Sequence, residues 1–314
     1  MRSYAWWNEN RIALGSLDKK MFGVVVVGLG IAGQVRIRDL VSPLPSSPAQ
    51  KMSIKGFVSR RPVGEQQGVQ QITLEEALSR QDIHAAIVST ENSSHEHYIR
   101  KFLEAGKHVC VEYPLALSYS AAVELCCLAD KQGKVLHVEH IELLTADYKQ
   151  LKKDVSGKRL QEGTLHFTGG PLAPGFGSLI FSGISRLTWL VDLFGELSVA
   201  TATLTNGPDK HTKLTAHLLT RDQRPLTWIE ERGSGLRRGK SIDFLFDSGR
   251  VDELPAVPRD PVGLFAQDLH IFGQKLLDQV APEALEAERC RVLHCLQLAN
   301  RISQLAKVPE HSAS

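Results

Sequence analysis

Residues 22–33, FGVVVVGLGIAG, constrain this chain more than any other stretch. An unbroken β-branched apolar run is the pattern of a strand buried on both faces, as in a parallel sheet. Gly28, Gly30 and Gly33 follow at once with G-x-G-x-x-G spacing, and QVRIRDLVS continues with helical spacing. That context gives the glycines distinct tasks. Gly28 permits a tight turn, Gly30 lets a pyrophosphate approach the backbone, and Gly33 lets the helix pack close to the strand. The phosphates then sit on the helix N-terminus, where free N–H groups and the dipole favour anions.

Strand and helix alternate at short intervals as far as residue 140. IKGFVS (54–59), HAAIVST (84–90), KHVCVEYP (107–114) and KVLHVEH (134–140) read as strands, and SPLPSSPAQ (42–50) reads as a loop. TLEEALSRQD carries Thr73 and Glu76 in a capping box, SSHEHYIRKFLEAG is a helix closed by Gly106, and SYSAAVELCCLADKQG ends at Gly133. Such alternation predicts a doubly wound α/β domain with helices on both faces of a parallel sheet. Beyond residue 145 the alternating runs GTLHFTGG, LSVATATLT, KLTAHLLT, PLTWIEER and KSIDFLFDS predict a large, mostly antiparallel sheet, interrupted by the helix ISRLTWLVDLFG. The division is therefore a leader over 1–20, a Rossmann domain over 21–144, and a substrate domain over 145–314 whose open sheet face bounds the cleft. Its C-terminal helices pack back on the body, and Leu285, Val292, Leu296 and Leu305 form their docking stripe.

A net charge of +2 leaves no footprint for nucleic acid or an anionic membrane. No apolar run approaches the length needed to span a bilayer. The five cysteines, 110, 126, 127, 290 and 295, are odd in number and form no CxxC pair, which fits a reducing, cytoplasmic home. The leader lacks a continuous apolar core, so it is not a secretory signal.

After the second strand stand Ser59, Arg60 and Arg61, where an acid commonly grips a ribose. Two guanidinium groups and a hydroxyl suit a 2′-phosphate, favouring NADPH, with NADH still open; solvated surface arginines are the plainer reading.

AGKHV followed by Glu112, Tyr113 and Pro114, downstream of a dinucleotide motif, resembles the glucose-fructose oxidoreductase and inositol dehydrogenase superfamily. Those enzymes carry a lysine where Tyr113 stands, and an Asp-Gly-His run that ISRLTWLVDLFG lacks. Longer strings, among them GFVSRR, AGKHV–VEYP, FSGISRLTWLV and LTWIEER, are similar to the biliverdin reductases from Phe22 to the last helices. The resemblance implies NADPH-dependent hydride transfer to the central methine carbon of biliverdin, giving bilirubin, by a monomer. It carries NADPH binding onto Gly28, Gly30, Gly33, Ser59, Arg60, Arg61 and Glu112. It carries the catalytic cleft onto Glu112, Tyr113, Glu139, Glu142 and Arg186. Ile31 departs from the family's arginine in the nucleotide loop, and Val138 from the first acid of its H-E-E-H. A sugar or trans-dihydrodiol dehydrogenase is the alternative enzyme, and a non-catalytic NADPH-binding regulator is the alternative class.

Arg186 is the first candidate to stabilise developing charge or relay a water proton, and Tyr113 the second, as phenol or flat wall. Glu112 would hold the tyrosine or the nicotinamide ribose. Glu139 and Glu142 would order a proton-carrying water, or stand as surface carboxylates. Arg237, Arg238 and Lys240 would meet the substrate's two propionates, or form a solvated hairpin face; Arg221 and Arg224 are weaker. His137 and His140 lack a nearby third ligand, so no metal is expected. His294 and Cys295 read as packing or solvent-facing, and Trp189 and Trp228 as core.

Overall fold

The computed structural model describes residues 21–208 and 210–306, so the leader lies outside it. The first half builds β1 (Phe22–Val27), α1 (Ile31–Val41), β2 (Met52–Val58), α2 (Leu74–Ser79), β3 (Ala85–Val88), α3 (His95–Glu104), β4 (His108–Val111), α4 (Tyr119–Gln132) and β5 (Leu136–Val138). The strands form a parallel sheet in the order β2-β1-β3-β4-β5. The chain leaves β1 first for one side and then for the other. This puts the topological switch between β1 and β3, where such sheets bind ligands. All six residues of β1 are buried. Val25 and Val27 pack with Ile99, Phe102 and Leu125 on one face, while Val24 and Val26 pack with Ile37 and Leu40 on the other. The period of two splits one strand between two cores. Thr73 and Glu76 form the capping box of α2, and Ser118 and Gly133 cap α4 at its two ends.

The second half builds α5 (Ala146–Val155), β6 (Leu160–Gly169), α6 (Leu179–Ser182), α7 (Ile184–Phe194), β7 (Leu197–Asn206), β8 (Thr212–Thr220), β9 (Pro225–Arg232), β10 (Gly239–Phe246), β11 (Gly249–Val251), α8 (Leu264–Leu276) and α9 (Pro282–Leu305). Its six-stranded sheet runs β11-β10-β6-β9-β8-β7 and is mixed rather than wholly antiparallel, because β6 pairs with β9 in parallel. The helices α6 and α7 carry the chain across to the far edge, so β7 starts in the direction of β6. Two hairpins then bring β9 back beside β6 pointing the same way.

Leu165, Trp228, Ile242 and Phe244 face the helices, where α7 lays Leu187 and Leu190 on them and Arg186 over Phe167. The last two helices serve different halves. Leu269 and Phe272 of α8 join the core beneath α1, whereas Val292, Leu296 and Ile302 of α9 join the core of α7 and β7. Leu285 and Leu305, at the ends of that stripe, are only half-buried. His294 does more than pack: its Nε2 accepts from Leu197 N at 3.0 Å and ties α9 to β7. The Pro/Ser-rich stretch is likewise more than loop. Pro48–Lys51 is a 3-10 turn capped by Ser47, whose hydroxyl lies 3.2 Å from His270 of α8.

Candidate active site

Successive strand ends of the parallel sheet are tied in register. Gly28 N donates to Val58 O, Ser89 N to Val27 O, Glu112 N to Val88 O, and Glu139 N to Val111 O, at 2.8–3.1 Å. Gly28, Ser89, Glu112 and Glu139 therefore stand in one row along the carboxyl edge. Gly28 has φ +95°, and a Cβ there would lie 2.6 Å from Ser89 O. A Cβ on Gly33 would lie 2.0 Å from Gly28 O, whereas one on Gly30 would meet nothing within 4 Å. Two glycines are thus required by the fold itself, and the third leaves an open cradle. Above that cradle the N-terminus of α1 has no side-chain cap and no acid in its first turn, so its N–H groups and dipole are available to an anion. The arrangement fits a pyrophosphate. Ile31 is exposed beside it. The Ser59–Arg61 turn is shaped by Gln71, whose role has no signal in the sequence and which donates to both Ser59 O and Arg61 O. Arg61 is exposed, and Arg60 is held bidentately by Glu91 at 2.9 and 3.0 Å.

Glu112 is held rather than holding. Its Oε1 accepts from Nε of Arg36 at 3.1 Å and lies the same distance from Nη2. Arg36, fully buried on α1, also pairs with Asp268 of α8 at 2.7 Å and stacks on Phe265. From Asp268 the chain of contacts continues to His137 Nε2 at 2.9 Å, then from His137 Nδ1 to Lys275 Nζ at 2.7 Å, and on to Glu288. Burial pushes Glu112 up, against the pull of Arg36. Asp268 is held low because Arg36 and His137 outweigh its burial. Cys110, His137 and Asp268 offer ligand atoms within 4.8 Å of one another, so the third group near His137 that the sequence did not suggest is present. Both nitrogens of His137 are nevertheless engaged, by Asp268 and Lys275. His140 lies outside that group, and burial drives its imidazole down to about 3.

Glu139 is wholly buried beside this chain. Oε1 accepts from Ile141 N at 2.6 Å, and Oε2 has no partner among the described residues. Burial, reinforced by Glu112, pushes its carboxyl well above the usual range. It is not a surface carboxylate.

Tyr113 faces the other half of the molecule. Burial pushes its phenol up to about 12, with Glu142 and Glu139 close by and Ser185 within reach of the hydroxyl. Next to Ser185 on α7, Arg186 donates from Nε and Nη2 to the two oxygens of Glu230 at 3.1 Å and from Nη1 to Ser185 Oγ. Its guanidinium lies over Phe167, 3.7 Å from the ring centroid, and 4.0 Å from Glu142. Glu142 is no surface group either. Lys240 donates to it, Arg238 approaches to 3.5 Å, and these cations together with Arg186 hold it low despite burial. Lys240 also sits 3.6 Å from the Trp189 ring centroid, so it is not part of a solvated hairpin face.

Arg237 stays exposed. Arg221 is exposed too, and Arg224 bonds Gln161 at the far end of β9, roughly 20 Å along the strand from Glu230. Phe167, Glu230 and Lys240 all share the helix-covered face of the sheet. That face, not the open one, borders Tyr113, because α7 brings Arg186 there. Trp189 and Trp228 are buried in the core, as is Cys295. Arg36, Asp268, Glu230 and Glu91 are among the site residues that sequence reasoning missed, with Gln71, Ser185 and Phe167.

Two family models divide the chain between them. The model for the NAD-binding Rossmann fold of an oxidoreductase family matches residues 22–140, and that for the catalytic region of biliverdin reductase matches residues 148–258. Biliverdin reductase A from Mus musculus is 53% identical over 289 residues, covering 91% of this chain and 97% of the relative. The Homo sapiens protein is likewise 53% identical, over 91% and 96%. The chain belongs to the biliverdin reductase A family. It is an NAD(P)H-dependent oxidoreductase.

The fold of this family member also aligns with that of a Synechocystis biliverdin reductase solved with biliverdin and NADP+, at a TM-score of 0.72 over 91% of this chain and 99% of that one, with 21% identity. A 3-ketoreductase from Actinomadura kijaniata, solved with NADP, aligns at 0.72 with 20% identity over 91% and 98%. At such identities these two speak for the fold alone.

Proposed function

We infer that this protein reduces biliverdin to bilirubin with NADPH. The observation that carries the reading is Tyr113, buried beside Ser185 and Arg186 of the second half and standing in place of a lysine, in a chain 53% identical to biliverdin reductase A. Bound NADPH supplies a hydride for the central methine carbon of the pigment. The open cradle at Gly30, between Gly28 and Gly33, and the uncapped start of α1 receive its pyrophosphate. Ser59, Arg60 and Arg61 meet its 2′-phosphate, with NADH accepted less well. Glu112, fixed by Arg36, faces the nicotinamide end.

Reduction puts electron density into a conjugated tetrapyrrole, so a fixed cation nearby lowers the barrier. Arg186 is that cation. Glu230 and Ser185 hold it before substrate arrives, and it needs no reorganisation when charge develops. As a guanidinium it stabilises the charge or passes on the proton of a water, rather than giving up its own. Tyr113 supplies a flat wall for the rings, and its high pKa keeps the hydroxyl a donor at neutral pH. Glu142 orders the water at Arg186, and Glu139, its carboxyl pushed up by burial, lies behind it. Arg238 and Lys240 receive the propionates, with exposed Arg237 at the rim. Around Phe167 and Trp189, Arg186, Arg232, Arg238 and Lys240 pair with Glu142 and Glu230, with Asp147 also near Lys240, an excess of positive charge among the described residues that suits a dianionic pigment.

A sugar or diol dehydrogenase would need a proton acceptor where Tyr113 stands, and a high-pKa phenol beside an arginine is a poor one. The reading includes a monomer in the cytoplasm. Unpaired cysteines support the location, and no helix among the described residues is long and apolar enough to cross a membrane. Mixing purified protein with NADPH and biliverdin should turn the green pigment yellow. No change of colour, together with turnover of a diol or sugar, would sink the reading.

A further inference from the structure

The connection from β3 to α3 holds a carboxylate that the reaction above does not use. Glu91 grips Arg60 through both oxygens. The two partners differ in freedom. Arg60 is three-quarters exposed on a long side chain, whereas Glu91 is about one-fifth exposed and its loop is pinned from the other half of the molecule. Ser93 N donates to Gly175 O at 2.9 Å, and Asn92 Nδ2 donates to Phe176 O at 2.8 Å. A Cβ on Gly175, which has φ +88°, would lie 2.8 Å from Glu91 Cγ, so the backbone there lies directly against the Glu91 side chain. Arg60 has open solvent to turn into, whereas the backbone that carries Glu91 is tied down.

We propose that Glu91 is a specificity-determining residue, which competes with the 2′-phosphate for Arg60 and so narrows the preference for NADPH over NADH. This rests on the assignment of Arg60 to the 2′-phosphate. A phosphate outbids a carboxylate for a guanidinium through its higher charge and equal capacity for bidentate contact. Each binding of NADPH therefore breaks the Arg60–Glu91 pair, whereas NADH leaves it intact. An exposed pair of this kind shifts an equilibrium by about 2- to 5-fold.

The test is titration of the full chain with NADP+, NAD+ and 2′,5′-ADP, followed by tryptophan fluorescence and calorimetry. Glu91→Gln should tighten NADP+ and 2′,5′-ADP by about 2- to 5-fold and leave NAD+ unchanged, with the gain shrinking as salt is added. Glu91→Asp, which shortens the reach, should give part of the same gain and serves if the glutamine variant does not fold. In an Arg60→Ala background the gain should vanish. Unchanged or weakened NADP+ binding in Glu91→Gln overturns the proposal, and so does an equal gain without Arg60, because Glu91 would then act by direct repulsion. A distinct outcome concerns the underlying assignment: Arg60→Ala weakening NADP+ and NAD+ alike would remove Arg60 from the 2′-phosphate altogether.

Discussion

Two clusters of charge flank the Glu112–Tyr113 pair, one on each side of the cleft, and they meet water differently. On the dinucleotide side, Arg36, Asp268, His137 and Lys275 are almost completely buried and linked end to end, so each charge has a committed partner. On the sheet side, exposure rises in steps from Glu230, which is fully buried, through Arg186 and Lys240 to Arg238, whose side chain is 75% exposed. The sealed cluster joins α1, β5, α8 and α9 around Glu112, and its charges are paired with one another. The graded cluster carries surplus cations stacked on Phe167 and Trp189, and its outermost members can turn to a newcomer. Burial with full pairing suits holding a part in place, and partial burial with unbalanced charge suits binding.

That contrast can be broken most severely at Asp268. Asp268→Ala leaves Arg36 and His137 without their shared carboxylate inside the protein, and should cost about 3–5 kcal/mol in denaturant unfolding. Lys240→Met should cost far less, because Arg186 and Arg238 still face Glu142. Equal losses in the two variants would erase the distinction. At the wet end of the graded cluster, Arg238→Ala should raise KM for biliverdin by about 2- to 5-fold with little change in kcat, the effect of an exposed ion pair. An unchanged KM at low salt would take Arg238 out of the substrate's path.

The smallest effect is expected at Glu139, beside the sealed cluster. Its folded-state pKa lies above the unfolded value, so folding favours the protonated form. The stability it contributes is complete below the unfolded pKa and is lost as pH rises through the folded one. Glu139→Gln keeps an acceptor for Ile141 N without titrating. Its melting temperature should therefore fall less than the wild type's as pH rises above the ordinary carboxylate range. Parallel curves would mean that Glu139 carries no such linkage.

The graded cluster is partly legible in the sequence. PLTWIEER alternates so that Glu230 shares its parity with Leu226 and Trp228, and an acid in the apolar register is a visible anomaly. Lys240 shares its parity with Ile242 and Phe244 in the same way. The β1–glycine unit, the capping box and the E-Y-P corner are legible because each is a local pattern whose physics closes within a dozen residues. The sealed cluster is not, since Arg36 looks like one more cation on an amphipathic helix. Its partner Asp268 arrives from α8, far along the chain, and only packing brings that helix under α1, while Glu288 of α9 joins at the far end of the contacts. Strand direction is invisible for a related reason: alternation marks a half-buried strand but not which neighbour it joins, so the parallel β6–β9 pair has no signature in the alternating runs.

The division between a cluster that holds and a cluster that acts is tested most directly at Arg186, by measuring kcat for biliverdin reduction and the NADP+ dissociation constant of Arg186→Ala in the same preparation. Loss of a fixed charge donor of this kind should lower kcat by about 100-fold while NADP+ binding stays within about 2-fold of wild type. Retained kcat, or collapse of NADP+ affinity, would contradict the placement of Arg186 opposite the nicotinamide.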